Sequence, residues 1–368
     1  MLRVSIIGCG KISDQHAEQI QRIPGCEIVS VCDREVLLAK QMQERYKIKE
    51  YYCDAQELME KSRPDIVHIT TPPQSHYDLG KFFLESGCHV YMEKPFTIDT
   101  EQAEELISIA EKNNVKITVG HNAQFTPAAR EMRSLVKDGY LGGPPVHMDC
   151  YYCYSLGDSS YAKALLGDKE YWVRKLPGKL LQNIISHGIS KIAEHLDDER
   201  PEVNVIGFTS QILKSIGEEE IIDELRVTIK DKHDRTAFFT FSTSIKPLLH
   251  QLRLYGPKNS LIVDDDNQTV IRIRGERRKS YLEQFISPIH IGRQYISCSA
   301  RNITKFLKKD FHSNAGMKYL IESFYNAVNG KDELPIPYRQ IILTSRLMDN
   351  IFSSLESEKS GNYFAKLN

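Results

Sequence analysis

Four groups of residues in this chain have types and spacings suited to chemistry on a small organic molecule. The first is Gly8-Cys9-Gly10-Lys11-Ile12-Ser13, two glycines one residue apart directly after the apolar run 4–7. In such a turn Gly8 permits the tight bend and Gly10 lets the backbone approach a pyrophosphate. The helix that follows offers free N–H groups and its positive dipole end to phosphate charge. Ser13 stands where a third glycine is usual and is small enough for close helix–strand packing. The second group is Asp33, 23 residues after Gly10 and at the end of another apolar run. A carboxylate there accepts hydrogen bonds from an adenosine ribose and repels a 2′-phosphate. NAD is thereby favoured, with NADP as the alternative because the guanidinium of Arg34 suits that phosphate. Asp33 also fits the plainer role of N-cap for a helix over 35–46.

The third group is Glu93-Lys94-Pro95. A lysine at a strand end reaches a reacting oxygen while its stem stays packed, and partial burial lowers its pKa toward proton traffic. Taken alone, the tripeptide equally describes a surface lysine before a turn proline. The fourth is Asn183 and His187, four residues apart in a helical pattern over 181–196 and therefore on one face. A histidine takes the hydroxyl proton of a substrate while hydride leaves the same carbon. Its alternative is a core histidine held by a neighbouring amide. His195, beside Glu194, reads as a helix C-terminal cap. Neither histidine has a cysteine or carboxylate at usable zinc spacing, so no metal is expected.

These residues need elements to position them. Strands at 4–7, 27–33, 65–71, 88–92 and 115–119 alternate with helices at 14–22, 35–46, 77–86 and 100–112. That rhythm specifies a right-handed, mostly parallel sheet with helices on both faces. Ligands of such sheets lie outside the carboxyl ends of the strands. Gly8, Asp33, Thr71-Pro72, Lys94 and Asn122 all fall at those ends. After a helix at 127–137, three glycines and two prolines in 139–145 mark a change of architecture. Strands at 146–154, 203–209, 224–229, 236–242, 251–255, 260–263 and 270–273 follow without a strict helix between each. They read as an open, mainly antiparallel sheet. Helices at 303–309, 317–329 and 338–355 close the chain. The expected architecture is α/β, with a doubly wound Rossmann domain over 1–122 and an α+β domain over 123–368 that carries the open-faced sheet.

Composition excludes several classes of function. At 368 residues the chain exceeds one typical core and suits two domains. With 48 basic and 49 acidic residues, a general nucleic-acid or membrane surface is not expected. The cluster Arg272, Arg274, Arg277, Arg278 and Lys279 is interrupted by Gly275 and Glu276 and reads as a solvated loop or hairpin. No apolar run approaches the roughly 18 residues of a membrane span. The eight cysteines are scattered, and Cys150 and Cys153 have no second pair. They read as reduced thiols of a cytoplasmic protein.

The order Gly8-Cys9-Gly10 with His16, Asp33, Thr71-Pro72 with His76, Glu93-Lys94-Pro95, Gly120-His121-Asn122 and Asn183 with His187 resembles the Gfo/Idh/MocA oxidoreductases. The resemblance implies reversible oxidation of a secondary alcohol of a sugar, polyol or nucleotide-linked sugar with NAD(P). It implies Lys94, His187 and Asn183 at the substrate, with Pro95 shaping the nicotinamide pocket. For the cofactor it implies Gly8, Gly10, Lys11, Ile12, Asp33 and Arg34, followed by Thr71, Pro72, His76, Glu93, Lys94 and Asn122. It further implies a homodimer or homotetramer built through the C-terminal sheet. Many polyol-oxidising members carry aspartate where this chain has Asn183, which leans the substrate toward nucleotide-linked sugars. Gly178-Lys179 replaces a glycine pair, and Gln124-Phe125 stands where arginine is frequent. A non-catalytic sensor of cofactor or sugar is the alternative within the same family.

Overall fold

The computed structural model describes residues 1–157, 160–275, 280–308 and 314–365, and of residues 280 and 358–365 only the backbone. Arg277, Arg278 and Lys279 of the basic cluster, and Lys309 at the end of an expected helix, lie outside the described residues. The chain divides into two compact units. One comprises 1–122 and 316–345, the other 123–315 and 346–368.

The first unit follows the βαβ rhythm: β1 (Leu2–Ile7), α1 (Lys11–Ile20), β2 (Cys26–Cys32), α2 (Val36–Tyr46), β3 (Glu50–Tyr52), α3 (Ala55–Ser62), β4 (Ile66–Ile69), α4 (His76–Glu85), β5 (His89–Met92), α5 (Thr100–Lys112) and β6 (Ile117–Val119). The six strands are parallel in the order β3-β2-β1-β4-β5-β6. The order reverses between β1 and β4, the topological switch point where such sheets open a crevice. Val4, Ser5, Ile6 and Ile7 are all buried, because helices cover both faces of a parallel sheet. Buried Ser5 and Ser30 satisfy each other across β1 and β2 at 2.7 Å. α5 shows how local sequence fixes an element. The Asp99 carboxylate accepts from the Gln102 N–H at 2.8 Å, and Ala103, Leu106, Ile107 and Ala110 form the buried stripe.

The second unit contains α6 (Pro127–Lys137), β7 (His147–Tyr152), α7 (Ser160–Gly167), α8 (Lys179–Ile184), α9 (Ser186–Ala193), β8 (Glu202–Phe208), α10 (Gln211–Ser215), β9 (Glu224–Lys230), β10 (Thr236–Ser242), β11 (His250–Tyr255), β12 (Asn259–Asp264), β13 (Thr269–Arg274) and α11 (Ser280–Leu307). Its seven strands run in the order β13-β12-β11-β7-β10-β9-β8. Only the β7–β10 pair is parallel, so the sheet is mainly antiparallel. One face is packed, with Cys150, Phe239 and Leu252 buried. On the other face Ile206, Phe208 and Phe238 are exposed.

Three expectations need correction. The stretch 123–368 is not one body, since α12 (Ala315–Val328) and the start of α13 (Tyr338–Ala365) pack with the first unit. There the Tyr325 hydroxyl meets His68 on β4, Lys116 donates to the Ala327 carbonyl, and the Tyr338 hydroxyl accepts from the Ile117 N–H. The helix expected at 303–309 is the end of the 28-residue α11; Pro288 and Gly292 break its apolar pattern without ending the helix. The helix expected over 181–196 is two, α8 and α9, meeting at Ile185. Among the described residues no helix is long and apolar enough to cross a membrane.

Candidate active site

β1 ends at Ile7 and the chain turns at Gly8, whose φ of 93° strains any side chain. Space forbids one as well, because a Cβ would come within 2.8 Å of Thr71 Cγ2 and 2.9 Å of the Thr71 nitrogen. Gly10 is different. Its φ is −77°, and a Cβ added there meets nothing within 4 Å. In front of it opens a cavity of about 680 Å³ whose wall includes Gly8, Gly10, Asp33, Arg34, Thr71 and Pro72. No side chain caps α1, so its N-terminal dipole remains available to an anion. Ser13 Oγ donates to the Gly10 carbonyl at 2.5 Å, pinning the turn to the helix from within.

Asp33 forms another side of this cavity. Its Oδ2 accepts from the Cys9 N–H at 2.7 Å and its Oδ1 from the Glu35 N–H at 2.9 Å. Two backbone donors thus orient the carboxylate, which keeps lone pairs for a ligand. It is not the N-cap of α2; Glu35 holds that place without a side-chain bond. Glycine turn, open Cα, uncapped helix and oriented carboxylate fit the pyrophosphate and ribose of a dinucleotide.

The other residues expected at the cofactor, Lys11, Ile12, His76, Glu93, Lys94 and Asn122, lie off this cavity wall. His76 is a clamp. Its Nδ1 faces the Pro95 and Phe96 carbonyls at 3.0 and 3.2 Å, and its Nε2 the Thr71 carbonyl at 2.9 Å. The loops after β4 and β5 are thereby held together. Glu93 is buried directly after β5, with Oε1 accepting from His16 Nε2 at 2.9 Å and Oε2 from the Lys94 N–H at 3.1 Å. Only glycine at 120 leaves room for it, since a Cβ there would sit 2.7 Å from Oε1. Burial pushes this carboxyl upward, but the His16 hydrogen bond and the charges of His16 and Lys94 outweigh it and hold Glu93 below its ordinary range. Lys94 is half-buried. Burial lowers its ammonium pKa, with the Glu93 charge opposing. Asn122 Oδ1 accepts from the Tyr91 hydroxyl at 3.1 Å.

In the second unit, Asn183 lies near the end of α8 and His187 in the first turn of α9. Gly188 packs on the Phe239 ring, where any Cβ would collide. Asn183 Nδ2 donates to the Tyr161 hydroxyl at 2.9 Å. The His187 ring stacks on Tyr152 with centroids 5.5 Å apart and planes at 30°. One turn further, buried Lys191 pairs with Asp265. Burial raises the phenol pKa of both Tyr152 and Tyr161. His195 is half-buried one residue past the C-cap, a place taken by Glu194, whose carboxylate receives Arg133 and Gln124. Sequence reasoning passed over Tyr152, Tyr161, Lys191 and Asp265. The one usable signal was Lys191, a lysine inside an apolar stripe four residues after His187.

Residues 2–121 match the profile of the Gfo/Idh/MocA oxidoreductase family, NAD-binding Rossmann fold. D-glucoside 3-dehydrogenase of Escherichia coli is 33% identical over 142 residues, covering 38% of this chain and 40% of that protein. The matched region thus spans less than half the length of that relative. Trans-1,2-dihydrobenzene-1,2-diol dehydrogenase of Xenopus tropicalis is 23% identical over 294 residues, 77% of this chain and 82% of that protein. Among solved structures, the WlbA dehydrogenase from Bordetella pertussis in complex with NADH and UDP-GlcNAcA superposes with a TM-score of 0.76. It is 14% identical and covers 97% of this chain and 96% of that one, a likeness of fold.

Proposed function

We propose, from the premise that the N-terminal domain of this chain belongs to the Gfo/Idh/MocA oxidoreductase family, that the protein is an NAD-dependent dehydrogenase. Its substrate is a secondary alcohol of a sugar, polyol or nucleotide-linked sugar. The observation that carries the reading is the meeting of Gly8, Gly10 and Asp33 around one cavity at the switch point of the parallel sheet. The bound nicotinamide supplies a hydride acceptor or donor. Gly8 and Gly10 leave room for the pyrophosphate, α1 faces it with its positive end, and Asp33 accepts from the ribose hydroxyls. Lys94 Nζ holds the reacting oxygen, its charge made easier to give up by burial. His187 takes or returns the hydroxyl proton at Nε2, Nδ1 being buried. Asn183, set by Tyr161, helps to position that ring. An amide there does not stabilise imidazolium as a carboxylate does; the reading leans toward nucleotide-linked sugars because asparagine at this place resembles the family members that act on them.

The test is NAD(H) binding and turnover across a panel of sugars, polyols and nucleotide-linked sugars. His187→Ala and Lys94→Ala should each cut turnover about 10²–10⁴-fold, the usual worth of a positioned proton carrier, with NAD affinity little changed. Near-normal turnover and pH dependence in His187→Ala would make that residue a core histidine. NAD binding without turnover on any member of the panel would favour the sensor.

A further inference from the structure

The first unit holds four titratable side chains that hydrogen-bond to one another in series. Glu93 Oε1 meets His16 Nε2 at 2.9 Å, His16 Nδ1 meets His68 Nδ1 at 2.8 Å, and His68 Nε2 meets the Tyr325 hydroxyl at 2.8 Å. All four are buried, with exposures of 4%, 0%, 0% and 3%. Tyr91 shields the middle of the series, stacked on His68 at 4.6 Å and set edge-on to His16 at 5.4 Å. The two ends differ in surroundings. Glu93 follows the carboxyl end of β5, next to Lys94. Tyr325 lines a separate cavity of about 610 Å³ with Leu2, Cys26, Asp65 and His89, residues at the amino ends of the strands. The series therefore runs from one edge of the parallel sheet toward the other.

We propose that Glu93, His16, His68 and Tyr325 form a proton-conducting chain between the Lys94 end of β5 and water in the cavity at the opposite edge of the sheet. Two proton arrangements satisfy every link. In the first, Glu93 is a carboxylate accepting from His16 Nε2–H, His16 Nδ1 accepts from His68 Nδ1–H, and His68 Nε2 accepts from the Tyr325 O–H. In the second, one additional proton resides on the Glu93–His16 pair, His16 Nδ1–H donates to His68 Nδ1, and His68 Nε2–H donates to the Tyr325 oxygen. Passing from first to second, His16 gives its Nε2 proton toward Glu93, His68 gives its Nδ1 proton to His16, and Tyr325 gives its hydroxyl proton to His68. A water molecule in the cavity reprotonates Tyr325 and leaves as hydroxide. One proton enters at Tyr325, one arrives at Glu93, and the reverse sequence carries one out.

The electrostatic surroundings suit this exchange. Burial and the neighbouring His16 hold His68 well below its ordinary pKa, so no charge is trapped midway. The other titratable groups facing the chain are Tyr91, which is raised by burial; His121, which burial takes to about 3; Lys94 beside Glu93; and Cys26 near Tyr325. A role for the chain in dehydrogenase chemistry rests on the function proposed above, because alcohol oxidation releases a proton and carbonyl reduction consumes one. The chain itself does not.

The test needs no substrate. Imidazole nitrogen NMR of the full-length protein reads the ring tautomers of His16 and His68 across pH, and proton–deuterium exchange reads their contact with solvent. Both rings should change tautomer together with a single midpoint. Tyr325→Phe keeps the ring and removes the outer hydroxyl. It should slow exchange of the His68 ring proton by about 10²-fold, the low end of what losing a positioned proton carrier costs, with NAD binding and thermal unfolding near wild type. A His68 tautomer that stays fixed while His16 titrates in the wild-type protein would overturn the proposal. So would unchanged exchange in a folded Tyr325→Phe variant. Either result would make the series a static buried network, whether or not the protein proves to be a dehydrogenase.

Discussion

Asp33 carries two loads on one carboxylate. It fastens the ends of β1 and β2 through the Cys9 and Glu35 N–H groups, and in the proposed function it receives the ribose. Asp33→Ser should weaken NAD binding and shift the NADP-to-NAD affinity ratio upward, with Arg34 at hand for the 2′-phosphate. Each charge-assisted hydrogen bond lost is worth about 1.5–3 kcal/mol. Dissociation constants for both cofactors measure the effect, and an unchanged ratio removes Asp33 from the cofactor site. Glu93 gives a pH signature. Its carboxyl is held below the ordinary range in the folded protein, so folding gains stability above the unfolded glutamate pKa of about 4.3 and loses it as pH falls through the folded value. Denaturant unfolding from neutral to acid pH should therefore decline more steeply in wild type than in Glu93→Gln. Parallel declines would show that the His16 contact contributes nothing to stability.

At the scale of elements, the two glycines of the first turn answer different demands. Gly8→Ala places a side chain at positive φ and against Thr71, costing about 1–2 kcal/mol for the backbone alone; thermal unfolding should fall whether or not NAD is present. At Gly10 an added Cβ meets no protein atom within 4 Å, so in Gly10→Val unfolding should stay near wild type while calorimetric NAD binding is lost. Full-strength NAD binding by Gly10→Val would mean the turn is not a phosphate cradle. The sequence disclosed this turn because a φ only glycine tolerates and a close approach only glycine allows both leave their mark on residue type. Strands of the first sheet were equally visible, as continuous apolar runs. β3 and α3 were not, since Glu50–Tyr52 is short with only Tyr52 buried and Ala55–Ser62 carries little apolar surface. The break between α8 and α9 was hidden because the apolar spacing of Ile184, Ile185 and Ile189 runs through it, and what packs there, as Phe239 does at Gly188, comes from far away in sequence. For the same reason the partners of His187 and Asn183 escaped notice: Tyr152 and Tyr161 come from separate elements, and only folding brings them near.

At the scale of the whole molecule, the second sheet leaves one face open. Strand register sets Phe238 beside Thr228 and Thr228 beside Asn204, so Phe238 is on the same face as Ile206 and Phe208. Exposed apolar side chains on an open sheet face suit association, and the expectation is that two copies pair through it. Phe238→Asp should reduce the mass measured by light scattering to that of one chain without lowering thermal stability. An unchanged mass above that of one chain would place the interface elsewhere; a wild-type protein that is already monomeric would dispose of it. The first unit raises a different issue, one of timing. His68 and Tyr325 are 257 residues apart. A ribosome working at ~5–20 residues per second delivers the second roughly 13–50 s after the first. Until then His68 lacks that hydroxyl, Lys116 lacks the Ala327 carbonyl and the Ile117 N–H lacks Tyr338. The nascent N-terminal third must wait, incompletely bonded, through synthesis of nearly the entire second unit. A gene cut after codon 122, where the pattern of strands and helices invites the cut, would encode a polypeptide arrested permanently in that waiting state.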